Sequence, residues 1–247
     1  MYIFLYLPII TLAVFSFNDS KSMAKWNGFS LKWYEKLLGN SRIMDALYYT
    51  ILVAVVASVV ATIVGTITAI GIHKMRQGKV RGLLLNINYL PVLNPDIVTG
   101  VALMSLFVFI NVEFGFTTML LSHIVFNIPY VILSVLPKLK QLPSNIEEAA
   151  LDLGATPWYA LRKVVLPQIK PGIISGMIIA FTMSIDDFVI SFFTTGNGVT
   201  NLAIEVYSMT RRGISPEINA LSTIMFLSVL ILLALSNISQ NKKVSSN

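Results

Sequence analysis

The stretch Ser144 to Pro167, SNIEEAALDLGATPWYALRKVVLP, is a polar island in a chain otherwise written for lipid. Ser144 with Glu147 three residues on is the pattern of a capping box, which satisfies the first orphan backbone donors of a helix. Glu147 and Glu148 fall in the first turn, where the positive end of the helix dipole favours acids. Gly154 supplies the left-handed residue that ends this helix. Thr156 and Pro157 start a second one, Thr as N-cap and Pro at the first helical position. The second helix is amphipathic, with Trp158, Leu161 and Val165 on one side and Arg162 and Lys163 beside them. Two short capped helices at a fixed angle make a rigid knob, a shape suited to being gripped by a partner.

Around this island the composition is that of a membrane protein. Hydrophobic residues make up 55% and charged residues 12%, and the mean hydropathy is +0.74. A soluble domain carries about 25% charged residues. The 247 residues leave room for about six spans of roughly 20 residues each. Cysteine is absent, which excludes a disulfide framework or a thiolate metal site. The net charge of +6 is scattered between apolar runs, the way membrane topology is written, and does not form a nucleic-acid patch.

Apolar runs predict spans at residues 1–17, 46–72, 83–110, 117–136, 169–193 and 216–238, all in one domain over 1–247. The first has neither a charged leading segment nor a small-x-small cleavage site, so it reads as an uncleaved helix. In the polar segment after it, Trp26, Trp33 and Tyr34 are placed like interfacial anchors, and residues 31–38 suit a short surface helix. Ala57, Ala61, Gly65 and Ala69 form a small-residue stripe on the second span, read as a packing face. Residues 73–82, HKMRQGKVRG, carry four basic residues and no acid, so this loop faces the cytoplasm. Both termini and the loop 137–168, which contains the knob, then lie on the same side.

The third span is broken. Pro91 and Pro95, with Asn94 and Asp96 beside them, cannot continue a regular helix. Irregular backbone at membrane depth survives inside protein or against a water-filled cavity, so Asp96 either lines a pathway or helps to start the second half-helix. His123 on the fourth span reads as a residue that hydrogen-bonds to a neighbouring helix. Asp186 and Asp187, followed by Phe188, stand near the end of the fifth span, where acids are expensive and normally face the interior of a bundle. Consecutive helical residues point about 100° apart, so one acid is expected to face a pathway and the other to serve packing. Ser215 and Pro216 read as the start of the sixth span.

The knob resembles the EAA loop of the permeases of ATP-binding-cassette (ABC) importers. Glu148-Ala149-Ala150, Gly154, Val164 and Leu166-Pro167 stand at that motif's spacing, Val164 replacing a commoner Ile. The resemblance implies an all-α integral membrane protein of the type I importer permease fold, with six transmembrane helices and a two-helix cytoplasmic coupling loop. It implies ATPase contact through Glu147, Glu148, Ala149, Ala150, Gly154, Ala155, Pro157, Leu166 and Pro167. The stretch 184–196, with Thr200-Asn201-Leu202 and residues 212–220, is similar to the PotC type of spermidine/putrescine importer permeases. Thr200-Asn201-Leu202 departs from the Thr-Leu-Pro more common there.

That similarity implies a second homologous permease subunit, two ATPase subunits, an extracytoplasmic solute-binding protein and a bacterial cytoplasmic membrane. The pathway residues would be Asp186, Asp187, Phe188 and Asp96. A permease for another small solute is the alternative within the family.

The chain has no G-x4-GK[ST] P-loop: Gly78-Lys79 lacks the Gly five residues before it. ATP and Mg therefore belong to partner subunits, and no cofactor is expected on this chain. No HExxH, GxSxG or Cys/His cluster suggests an enzyme. The rival class, a self-sufficient secondary transporter, often shows paired broken helices and internal repeats, whereas this sequence shows one break. The expected mechanism is alternating access, with the ATPases moving the knob as a lever.

Overall fold

A computed structural model describes residues 2–21, 25–143, 145–211 and 216–227. Among these residues it is helical, with a single isolated β-bridge between Asn18 and Phe29. In chain order the helices are α1 (Tyr2–Phe15), α2 (Lys32–Leu38), α3 (Ser41–Lys74), α4 (Lys79–Leu93), α5 (Asp96–Phe109), α6 (Phe116–Lys140) and α7 (Ile146–Asp152). There follow α8 (Pro157–Ala160), a π-helical turn (Leu161–Val165), α9 (Leu166–Ile185), α10 (Val189–Thr194) and α11 (Leu202–Arg211). Residues 216–227 are also helical.

Three helical stretches are long and apolar enough to cross a membrane: Ser41–Lys74, Phe116–Lys140 and Pro157–Ile185. The pair α4 and α5 makes a fourth if counted as one broken span, bent by 108°. The break falls at Asn94–Pro95, at the end of the stretch expected, while Pro91, expected not to continue a regular helix, stays within α4. Asn94 is extended (ψ 144°), the conformation forced on a residue before proline, and Pro95 then starts α5.

The chain forms two compact units, Ala46–Ile204 and Met1–Asp45 with Glu205–Asn247. The core of the first is a cluster that joins α3 (Ala61, Ala69, Ile72), α6 (Val131, Ile132, Val135, Leu136, Leu139) and α9 (Ile169, Ala180). Lipid gives helices no hydrophobic reason to associate, so close van der Waals contact must do it, and small residues allow that contact. A Cβ on Gly65 would stand 2.8 Å from Val131 Cβ, and one on Gly172 would stand 2.8 Å from Lys138 Cγ. On Gly176 it would stand 3.2 Å from Val131 Cα. Ala57, Ala61 and Ala69 are fully buried, so the small-residue stripe is a packing face.

In the other unit, Asn18 organises the segment after α1. Its side chain donates to Lys25 O (2.8 Å) and accepts from Asn27 N (2.9 Å), while Trp33 Nε1 donates to its carbonyl (2.7 Å). Trp33 is therefore buried, not the interfacial anchor expected; its N–H satisfies a backbone acceptor that would otherwise be lost. Tyr34 likewise pairs its hydroxyl with Ser16 Oγ at 2.7 Å, and Trp26 is the exposed member of the trio. Glu217 pairs with Lys36, and the buried Glu205 accepts from Arg42 Nε at 2.9 Å.

Two boundaries differ from expectation. The second helix of the knob does not stop before the fifth span: α8, the π turn and α9 run on without a break from Pro157 to Ile185. Pro167 lacks an N–H and its ring would strike the carbonyl four residues back in an α-helix. The π turn just before it absorbs this, with Leu166 N–H bonding Leu161 O five residues back. The fifth span also ends at Ile185 and not at Phe193, because the chain leaves the helix at Asp186 and restarts it at Val189. Residues 212–215, including Ser215, and the part of the sixth run after 227 lie outside the described residues.

Candidate functional site

The two-helix corner of residues 145–165 is built by its caps. Ser144 lies outside the described residues; Asn145 precedes α7 with no side-chain cap bond. Past α7, Ala155 N–H reaches Ala150 O (3.0 Å) and Gly154 N–H reaches Leu151 O (2.9 Å). This is the Schellman pair of bonds, which requires a left-handed residue, and Gly154 has φ +85°. A Cβ on Gly154 would meet nothing within 4 Å, so glycine is required here by backbone conformation, not by space. Thr156 then caps α8, its Oγ1 accepting from Tyr159 N at 3.3 Å, with Pro157 next.

The resulting corner is anchored on one side and open on the other. Val165 is buried in the core cluster and Leu166 packs against it. Glu147, half-buried, forms an ion pair with Lys74 at the end of α3. Outward, Leu153 is 90% exposed and Trp158 67%. Between Ala150 on α7, Leu153 and Ala155 in the turn, and Tyr159 and Val164 beyond it lies a hollow of about 490 Å³. Glu148, Ala149, Pro157 and Pro167 are exposed, and Ala150 and Ala155 half-buried. An apolar rim around an open hollow has the shape to receive a helix of another protein.

The acids of the fifth span separate sharply. Asp187 Oδ1 accepts from Ile190 N (3.1 Å), and Oδ2 accepts from Ser191 N (2.7 Å) and Ser191 Oγ (2.8 Å). The carboxylate thus satisfies the orphan donors at the start of α10. His123 Nε2 lies 3.4 Å from Oδ2 and 2.8 Å from Ser191 Oγ, while its Nδ1 meets Ser184 Oγ at 3.1 Å. Asn127 donates to Ser184 Oγ, and Asn201 donates to both Ser191 Oγ and Asp187 O, each at 2.7 Å.

Ser191 has one hydroxyl proton and gives it to the carboxylate. His123 Nε2 must then donate to Ser191 Oγ, and Nδ1 must accept from Ser184, so the donors balance with a neutral imidazole. His123 is the helix-to-helix bonding residue that the sequence suggests. Asn201, in the stretch that departs from the polyamine-permease pattern, serves this buried network. No sequence signal marks that role, since its partners lie 10 and 14 residues away across a break.

Asp186 differs. It is exposed at the end of α9, and its carboxylate meets its own backbone N–H but no side-chain or ion-pair partner among the described residues. It lies within electrostatic reach of Asp96, the exposed first residue of α5, and Asp96 within reach of Tyr130 on α6. The two helix breaks therefore leave Asp96 and Asp186 within electrostatic reach of each other. Phe188 and Phe192, following Asp186 in the chain, have ring centroids 5.4 Å apart. Gly100 sets the approach of α5 to α10, since a Cβ there would lie 3.0 Å from Phe193 Cδ2. No group of three or more metal-ligating side chains occurs among the described residues.

Residues 61–242 match the family described as binding-protein-dependent transport system inner membrane component. The spermidine/putrescine transport system permease protein PotC of Escherichia coli (strain K12) is 38% identical over 250 residues, covering 100% of this chain and 93% of that one. The putrescine transport system permease protein PotI of the same strain is 39% identical over 230 residues, covering 90% and 81%. Among solved structures, a bacterial ABC transporter involved in the import of the acidic polysaccharide alginate matches with a TM-score of 0.74 at 16% identity, over 97% of this chain and 90% of that one. The MetNI methionine ABC transporter, in inward-facing form, matches at 0.63 and 18%, over 83% and 99%. At such identity these two speak for the fold alone.

Proposed function

We propose, on the premise that this chain belongs to the family of binding-protein-dependent transport system inner membrane components, that it carries polyamines across the bacterial cytoplasmic membrane by alternating access. The chain is an ABC importer permease with the helical fold of that class. Six spans are formed by α1, α3, the bent pair α4–α5, α6, the α8–α9 helix and the helix described over residues 216–227. The basic loop 73–82 lies in the cytoplasm with both termini and the coupling loop, in accord with the positive-inside rule. An ATPase subunit takes the exposed corner at Leu153 and Trp158 into a cleft on its surface. A second permease subunit completes the pathway, and an extracytoplasmic binding protein delivers the solute.

The observation that carries this reading is that Asp96 and Asp186, two exposed carboxylates without side-chain partners, stand within electrostatic reach of each other at two helix breaks. A polyamine bears several ammonium groups and loses water on entering a narrow path. A carboxylate about 4 Å from an ammonium recovers roughly 4 kcal/mol at an effective dielectric near 20. Phe188 and Phe192 offer ring faces worth about 0.5–2 kcal/mol to a passing cation. Few charges suffice to admit the solute without trapping it.

The coupling loop converts nucleotide state into motion because its second helix is continuous with a span. Rotation of the corner is delivered to α9 with no hinge other than the π turn. Nucleotide shifts the inward and outward states only by its differential affinity for them.

The test is uptake of labelled spermidine by the assembled importer. Asp186→Asn is expected to lower uptake about tenfold or more, a loss of only about 1.4 kcal/mol, while membrane expression stays normal. Normal uptake by that variant would remove the acid from the pathway.

A further inference from the structure

The first turn of α4 holds a charge that the transport reading does not use. Arg81 is only 9% exposed, its Nε is fully buried without a hydrogen-bond partner, and the side chain forms no ion pair among the described residues. The reason for its burial lies in helical spacing. Arg81, Leu85 and Asn88 share one face of α4; Leu85 packs against the core cluster and Asn88 is 8% exposed. The guanidinium therefore lies on the inward face of α4, which packs against α6. Arginine cannot shed its proton, so burial cannot be relieved by neutralisation. A buried Nε–H donor without a partner calls for an acceptor, and on a cation an anionic acceptor suits it best.

Its neighbours repeat the demand. The charges of Arg81, Lys140 and Lys74 all act on His73, whose Nδ1 is also buried without a partner. The one acid acting there, Glu147, is already paired with Lys74. Three cations are thus within electrostatic reach of an imidazole whose Nδ1 is unsatisfied, and the one acid in reach is committed to Lys74. On the outer side of α4, Val80, Leu83 and Ile87 are 63%, 59% and 52% exposed and form an apolar surface that runs away from the charge along the span.

We propose that Arg81, with His73 and Lys140, binds the phosphate of an anionic phospholipid headgroup, the acyl chains lying along Val80, Leu83 and Ile87. Phosphate fits because a guanidinium offers it paired N–H donors. The lipid source is favoured by depth: the cation sits at the first turn of a span, where headgroups lie, and apolar side chains continue from it into the hydrocarbon. Basic pockets between helices at the cytoplasmic face are known to take anionic headgroups. The bound lipid would hold α4 against α6 beside the Lys74–Glu147 pair, next to the coupling loop. The site does not depend on which solute is carried.

The experiment uses the full chain in its purified importer. Phosphatidylglycerol, cardiolipin or phosphatidylcholine is added in detergent, and lipid retained by the complex is counted by native mass spectrometry. The wild type should retain the anionic lipids about tenfold over phosphatidylcholine. Arg81→Gln should abolish that preference, Arg81→Lys should keep part of it, and Lys79→Gln, an exposed neighbour, should leave it intact. Equal retention of all three lipids by the wild type overturns the proposal, even if Arg81→Gln does not accumulate. Occupancy by inorganic phosphate without any lipid preference overturns it in favour of a soluble anion. Unchanged retention by Arg81→Gln, with weakened ATPase association, overturns it in favour of a carboxylate of that subunit.

Discussion

Asp187 holds Ser191 twice through one oxygen, Oδ2 accepting the amide N–H at 2.7 Å and the hydroxyl at 2.8 Å. The adjacent Asp186 has no side-chain partner among the described residues. Two neighbouring acids of the same type thus have opposite surroundings, and their substitutions should fail in different ways.

Asp187→Asn is expected to damage the protein before transport is reached. The amide has one acceptor oxygen, and its NH2 would face the donors of Ile190, Ser191 or His123. A buried donor left unsatisfied costs about 1–3 kcal/mol. The variant should show lower membrane abundance and a lower melting temperature in detergent, whereas Asp186→Asn should match the wild type in both. Equal stability of the two variants would contradict the burial of Asp187 in the network.

Gly154→Val should leave the chain in the membrane and uncouple it. A Cβ meets nothing at this position, so the whole effect is the strain of φ +85° in a β-branched residue, about 1–3 kcal/mol. That strain opens the Schellman corner and changes the angle between α7 and α8. ATPase co-purification and ATP-driven uptake should both fall, with Gly154→Asn less affected because Asn tolerates the left-handed region. Undiminished uptake by a well-expressed Gly154→Val importer would show that the corner's angle does not matter.

Gly176→Leu should destabilise the α6–α9 contact. The added Cβ would already lie 3.2 Å from Val131 Cα, a backbone atom that cannot move aside as a side-chain tip can. Overpacking of this kind costs about 1–3 kcal/mol. Gly71→Leu, where nothing lies within 4 Å, is the control and should be close to neutral. Thermal unfolding of the two variants in detergent checks the contrast.

Single cysteines report topology cleanly, because the chain has none of its own. Gln77→Cys, in the basic loop after α3, should react with an impermeant maleimide only in inverted vesicles. Asn197→Cys, exposed after α10, should react only in right-side-out cells. Labelling of Gln77→Cys from outside would reverse the orientation.

The sequence by itself determined whatever depends on local spacing. Asn94 and Pro95 break the third span, because the residue before a proline is pushed out of the helical region by a clash within one turn, whereas Pro91, expected to break it too, stays inside α4. Gly154 and the Thr156-Pro157 start of the next helix are equally local, and so is the small-residue stripe, since four-residue spacing alone puts it on one face. The family itself was legible, because the residues of its motif stand within one short stretch of the chain.

Tertiary structure decided everything that depends on which helices meet. Nothing in the sequence tells Asp186 from Asp187: the difference arises because Ser191, His123 and Asn201 converge on one carboxylate and not on the other. Trp33 was read as an anchor because its acceptor, the Asn18 carbonyl, is visible only once the segment has folded back. The second helix of the knob reads as separate because Pro167 lacks the N–H and the room that an α-helix requires. A π turn, whose bond reaches five residues back, let it continue into the span. The orphaned charge of Arg81 is likewise a tertiary fact, for an arginine in a basic loop reads as solvated until a neighbouring helix covers it.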